Sequence, residues 1–298
     1  MLQAHRGELF ALMVAVFWTV TALAFESAGR RVGSLPVNLI RLVFGFAFLS
    51  LLNGAVRGTP FPADASPQNW AWLSLSGMVG FVIGDLLLFK SFTLVGSWFA
   101  MLVMTLAPPL AAVFGRIFLG ERISALGMGG MALTLLGIAL AVFHRDGEGA
   151  RPREPRPLLG VLYAFGGAVG QAAGIVLSKH GMGDYPSFAA TQIRVIAGIA
   201  GFALIVTAAG RWGPVLRAFR DRKGILAILL GSFFGPFLGV SFSLMAIRHT
   251  STGVASTLMA LTPILLIPPS TVLLGHRITP REIAGTVLSV AGVALFFL

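Results

Sequence analysis

The chain has 298 residues, 56% of them hydrophobic and 11% charged, with a mean hydropathy of +0.87 and no cysteine. A soluble domain usually carries about a quarter charged residues, so a water-soluble enzyme domain is excluded, and the lack of cysteine excludes disulfide frameworks and Cys-based zinc or redox centres. The net charge of +11 would suggest nucleic acid in a soluble chain, but Lys and Arg fall mainly between apolar runs, where they report orientation against anionic headgroups.

About 20 apolar residues cross a bilayer's hydrocarbon core, and runs bounded by Pro, Gly and charge predict ten helices: 8–28, 35–55, 70–93, 96–116, 124–143, 158–179, 187–209, 224–246, 252–273 and 280–298. The first run is too long for a signal-peptide core and has Glu8 before it, so it reads as a true span. The segment HRDGEGARPREPRP, 144–157, is rich in charge, Pro and Gly and separates a first five-helix unit, 1–143, from a second, 158–298. The expected fold class is an all-α polytopic membrane protein.

With an even number of spans both termini share a side. That side holds 6 Lys or Arg and the other 13, leaving Arg41, Lys90 and Arg194 inside spans. The positive-inside rule then places the linker in the cytoplasm and both termini outside. Trp70, Trp72 and Trp212 fall at span ends, where amphipathic rings favour the headgroup layer.

The two units repeat. At an offset of 155, Gly80, Gly84, Met104, Pro108, Gly120, Arg122, Gly130 and Gly137 fall on Gly235, Gly239, Met259, Pro263, Gly275, Arg277, Gly285 and Gly292, and FLGERI (118–123) matches LLGHRI (273–278). At an offset of 153, Gly7, Arg41 and Gly45 fall on Gly160, Arg194 and Gly198. An odd number of spans per unit makes the second copy enter the membrane from the opposite side. Inverted repeats of this kind place a substrate site between the halves and support alternating access.

With its Pro in helices 4 and 9, Arg early in helices 2 and 7 and GER turn after helix 4, the chain resembles the EamA-type branch of the drug/metabolite transporter superfamily. The resemblance implies a basket of helices 1–4 and 6–9 around a cavity, helices 5 and 10 outside it, and export of amino acids, other metabolites or toxic organic compounds across the bacterial inner membrane. Two features depart from the family pattern: His276 replaces Glu121 in the second turn, and the family more commonly keeps its termini cytoplasmic.

Small residues recur every fourth position as Ser76, Gly80 and Gly84, as Gly166, Gly170 and Gly174, and as Gly231, Gly235 and Gly239. Such stripes let helices approach closely, and their repeat-equivalent placement makes Gly80, Gly84, Gly235 and Gly239, with the helix-breaking Pro108 and Pro263, the expected hinge or gate. Asp85 is an acid deep in a span, where a charge costs about 2.5–3.5 kcal/mol on insertion scales; its equivalent is Val240. It is expected to bind a substrate ammonium, carry a proton, or pair with Lys90, Arg41 or Arg194. Arg41 and Arg194 lie at equivalent positions within two turns of their helix starts, which predicts capping of helix-end carbonyls or snorkelling; the alternative is attraction of a substrate carboxylate or a place in a gate. Glu26 and Lys179 are expected at opposite interfaces.

Trp18, Asp85, Trp98, Met101, Thr105, Tyr163, Gln171 and Ser256 complete the expected substrate-binding set. The five His lack paired-ligand spacing, and there is one deep acid and no Gly-rich nucleotide loop. The chain is therefore expected to be a transporter and no enzyme, with no cofactor and no metal. The expected partners are a small-molecule substrate and membrane lipids, with no nucleic acid, and the expected state is a monomer, with a dimer as the alternative. The expected function is secondary-active export of small amphipathic metabolites, amino acids foremost; the alternative is a multidrug exporter of lipophilic organic cations with Asp85 as counter-charge.

Overall fold

The computed structural model describes residues 5–95, 103–142, 157–265, 269 and 280–295. Trp98, Met101, His276 and linker residues 144–156 lie outside these, as do the side chains of Glu26 and Pro263. The described residues are helical, with no strand among them. In chain order they form α1 (Arg6–Val32), α2 (Ser34–Arg57), α3 (Pro67–Gly77, Met78–Gly84 and Asp85–Val95 in sequence), α4 (Ala107–Leu119) and α5 (Ala125–Val142). The second unit gives α6 (Pro157–Met182), α7 (Ser187–Ala208), α8 (Arg222–Ser232, Phe233–Gly239 and Val240–His249 in sequence), α9 (Thr252–Met259 and Thr262–Leu265) and α10 (Pro280–Ala294), with a short helix, Trp212–Ala218, before α8.

Six of these stretches, in α1, α2, α3, α6, α7 and α8, are long and apolar enough to cross a membrane; among the described residues α4, α5 and α10 supply shorter apolar helices. The helix starts are set by caps that periodicity alone misses. Ser66 accepts from Asn69 N (3.1 Å) while Asn69 Oδ1 accepts from Ser66 N (3.2 Å), so α3 begins three residues earlier than the apolar run. At the repeat-equivalent position Asp221 accepts from Gly224 N (2.9 Å) and starts α8. Gly120 ends α4 with φ 66°, a left-handed cap that a side chain would strain.

The repeat reaches below the sequence. The wide, π-type turns Met78–Gly84 and Phe233–Gly239 occupy equivalent positions, and such turns usually mark functional places in a helix. Helices α4 and α9 are interrupted at equivalent points: Leu106 N donates to Val103 O (3.0 Å) and Leu261 N to Leu258 O (3.2 Å), each just before the proline. Contacts are reciprocal between the units. In the α5–α10 pair Ser289 Oγ donates to Thr134 O (3.1 Å) and Thr134 Oγ1 to Ser289 O (3.4 Å), and these two residues are themselves equivalents. A Cβ on Gly45 would lie 2.9 Å from Pro236 Cβ, and one on Gly198 would lie 3.2 Å from Phe81 Cδ2; both members of each contact correspond.

The third helices pack across the units, α3 on α6 and α7, α8 on α1 and α2. Ser76, Gly80 and Gly84 meet Ser178, Gly174 and Gly170, with Ser76 Oγ donating to Gly174 O (2.6 Å). The opposite seam is small against large: Gly231, Gly235 and Gly239 receive Phe25, Thr21 and Trp18.

Candidate functional site: a charged cavity between the units

Between the units lies a cavity of about 320 Å³. Its described walls come from α1, α2, α3, the start of α4, α6, α7, α8 and α9, and none of the described lining residues belongs to α5 or α10. Trp18, Asp85, Thr105, Gln171 and Ser256 line it, as do Pro108 and Gly235. Gly80, Gly84 and Gly239 lie behind the wall in the helix seams. Tyr163 is not among the lining residues: its ring receives the Lys90 ammonium at 5.1 Å, because both residues point away from the cavity face of α3 and α6.

The polar centre is built by three helices. Arg41 Nη2 on α2 pairs with Asp85 Oδ2 on α3, and Gln171 Nε2 on α6 donates to Asp85 Oδ1 at 2.9 Å. Of the three partners expected for Asp85, the structure makes Arg41 its ion pair; Lys90 belongs to another face. Arg194 on α7 reaches the same cavity and is only 6% exposed. This placement corrects the capping or snorkelling reading of the two arginines and leaves the alternative one, a place at the cargo or in a gate, as the one that fits. Each is the eighth residue of its helix, two turns inside, and each turns toward the axis between the units. Their guanidinium groups lie over Phe25 (5.5 Å) and Phe81 (4.8 Å), where the ring face favours a cation. Gly77 and Gly80 leave the space that Arg194 occupies.

Sequence reasoning missed Thr21, Phe25, Phe81, Ser243 and Thr262 as lining residues. A signal existed for Phe81, which follows the repeat-equivalent Gly80, but an aromatic in an apolar helix reads as packing. A further correspondence emerges only in three dimensions. At the offset of 153, Gln171 falls on Trp18; the first borders Gly84 and the second Gly239, so amide and indole occupy matching places.

At the end of the bundle where α1 starts and α6 and α8 finish, the units are laced together. Glu121 Oε2 accepts from Thr252 N (2.9 Å) and Thr252 Oγ1 (2.7 Å), capping α9 from the other unit. Lys179 Nζ sits 2.6 Å from Glu121 Oε1 and donates to Thr250 O (2.7 Å), and Thr250 Oγ1 donates to Glu8 Oε1 (2.8 Å). Lys179, expected at the interface alone, is thus part of a clasp. At the opposite end the described tie is Arg31 to Asp221 (3.0 Å). The Gly224 N–H and the Arg31 guanidinium hold the Asp221 carboxyl below the usual carboxylate range.

A helical membrane protein that encloses a charged cavity between two corresponding units has the form of a small-molecule transporter. The EamA-like transporter family model matches residues 5–143 and again 158–298, and the chain belongs to that family. It is 22% identical over 292 residues to an "Uncharacterized transporter" of Clostridium kluyveri, covering 96% of this chain and 91% of that one. It is 24% identical to a "Putative ribose uptake protein RbsU" of Lactiplantibacillus plantarum, covering 91% and 92%. One solved crystal structure superposes with a TM-score of 0.73 over 98% of this chain and 96% of its own, at 21% identity, a likeness of fold.

Proposed function

We propose that this EamA-family protein is a secondary-active, alternating-access exporter of small amphipathic metabolites, amino acids foremost, working as a monomer in the bacterial inner membrane. The observation that carries the reading is the cavity: both units line it, it is walled by the eight inner helices, and the reciprocal contacts around it relate one unit to the other. Five helices per unit would invert the second copy, so that exchanging the conformations of the two units would move the opening from one side to the other. The broken helices α4 and α9 and the wide turns of α3 and α8 supply repeat-matched places to bend. The Glu121–Lys179 clasp is then the closed gate of this state.

The alternative of a lipophilic-cation exporter needs Asp85 as counter-charge. Asp85 already holds Arg41, and Arg194 adds a second positive charge to the same space, which speaks against a cationic cargo. Counterflow in proteoliposomes with labelled amino acids, tetraphenylphosphonium and ribose tests the reading. Accumulation of an amino acid above the other two is expected, and accumulation of the cation or the sugar alone would replace it.

A further inference from the structure

The two arginines of the cavity are repeat equivalents, yet only one has an acid. Arg41 pairs with Asp85; the residue that corresponds to Asp85 in the second unit is Val240, which also lines the cavity and is 8% exposed. The position that holds the carboxylate in the first unit is thus apolar in the second, and Arg194 lines the same cavity with its guanidinium over Phe81. It makes no ion pair within 4 Å among the described residues, and its Nε, like that of Arg41, is buried with no hydrogen-bond partner. Asp85 acts on it electrostatically from a distance, but that acid's oxygens are already occupied by Arg41 and Gln171. The three charges sum to one surplus positive charge.

A buried guanidinium without a partner is costly unless something supplies the missing charge and acceptors. A guanidinium is also the side chain whose planar fork matches a carboxylate with two parallel hydrogen bonds. The cavity around it is apolar and aromatic, with Trp18, Phe25 and Phe81 in its walls. We infer that Arg194 is the recognition group for the carboxylate of the cargo, so that the transporter takes carboxylate-bearing molecules with an apolar body and refuses the same bodies without the carboxylate. This deepens the transport reading above and names its substrate chemistry. Amino acids and simple carboxylic acids share that chemistry; the surplus charge is cancelled fully by the acid and only locally by the zwitterion.

Equilibrium binding to the full chain in detergent separates this claim from transport itself. The probes are four compounds with one body: 3-phenylpropionate, phenylalanine, phenethylamine and 3-phenylpropanol. The acid and the amino acid are expected to bind at least tenfold more tightly than the amine and the alcohol, and the ratio between the first two tells which source of carboxylate is preferred. Equal binding of acid and alcohol, preference for the amine, or no binding of either carboxylate at millimolar concentration overturns the inference.

Two variants then place the selectivity. Arg194→Gln should erase the preference for carboxylates, and Arg194→Lys should restore part of it, a rescue that a packing role would not produce. Val240→Asp supplies the acid that repeat symmetry lacks; it should stay folded through its new partner and lose at least tenfold in carboxylate affinity. Val240→Asp or Arg194→Gln protein that keeps wild-type preference contradicts the assignment. Counterflow with the same four compounds distinguishes the two readings. Carboxylate binding without counterflow sinks alternating-access transport and leaves the recognition claim standing, whereas counterflow of the alcohol or amine alone does the reverse.

Discussion

The two units matched by the family model differ most where they meet the cavity. The first contributes Arg41 with Asp85, and a neighbouring amide, Gln171, completes the carboxylate's hydrogen bonds. The second contributes Arg194 with Val240, and the residue matching that amide is the indole of Trp18. A common backbone carries both, down to the equivalent wide turns and the equivalent breaks in α4 and α9. Under the proposed function, symmetry in the backbone and asymmetry in the side chains would do separate jobs: the first would let two states lie close in energy, the second would let a cargo bind in one defined orientation. Duplicated architecture is thus compatible with a site that has a polar corner and an apolar one.

The comparison breaks hardest at the ion pair. Asp85→Ala leaves Arg41 as unmatched as Arg194, and removing one partner of a buried pair costs about 3–5 kcal/mol. Thermal unfolding in detergent should show that loss, and Arg41→Met in the same chain should return most of it, because the double variant buries no orphan charge on that side. Additive losses in the double-mutant cycle would mean that the pair is not coupled.

The next effect separates the two seams. A Cβ on Gly170 would fall 2.8 Å from the Gly84 Cα, backbone against backbone, whereas one on Gly235 would fall 2.9 Å from a Thr21 side-chain methyl. Gly170→Ala should therefore cost about 1–3 kcal/mol as an overpacking change, and Gly235→Ala less. Equal losses in thermal unfolding would show that the α3–α6 seam is no more rigid than α1–α8.

Breaking the clasp is smaller. Thr252→Val removes the hydroxyl that donates to Glu121 and leaves the backbone N–H bond in place, a net loss of about 0.5–1.5 kcal/mol for one hydrogen bond. If the clasp is a gate, the variant should also raise the labelling rate of a cysteine placed in the cavity at Ser256. An unchanged rate would assign the clasp to stability alone.

The smallest effect lies at the other end of the bundle. Because the Asp221 carboxyl is held below its ordinary value, its contribution is complete above about pH 4, the ordinary carboxylate range, and fades as pH falls through the lowered value. Asp221→Asn should flatten that acid limb by lowering the neutral plateau of the melting temperature slightly while leaving the most acidic values unchanged. An unchanged acid limb would remove Asp221 from the account.

Much of this architecture could be read in the chain. Spans follow from apolar length, and the offsets that align Gly80 with Gly235 and Arg41 with Arg194 already relate α3 to α8 and α2 to α7. Depth was legible too, since Asp85 sits far from any polar segment. Azimuth was not. Arg41 and Arg194 lie close enough to their helix starts to snorkel, and only the packing of α2 and α7 turns them inward. Azimuth also separates Tyr163, whose ring receives Lys90, from the residues that line the cavity. Wide turns leave no periodicity signature, because one extra residue in a glycine-rich turn changes the angle and not the composition.

The central claim is that the units exchange conformations around the cavity. The chain has no native cysteine, so introduced pairs are unique labelling sites. Spin labels at Ala63 and Asp184 would bridge the units at the clasped end, and labels at Ser34 and Arg220 would bridge them at the other; all four residues are exposed. Pulsed electron–electron distance measurement in proteoliposomes, with and without a transported cargo, should show the two distances changing in opposite senses. Distances that stay fixed, or that lengthen and shorten together while counterflow proceeds, would contradict alternating access by this fold.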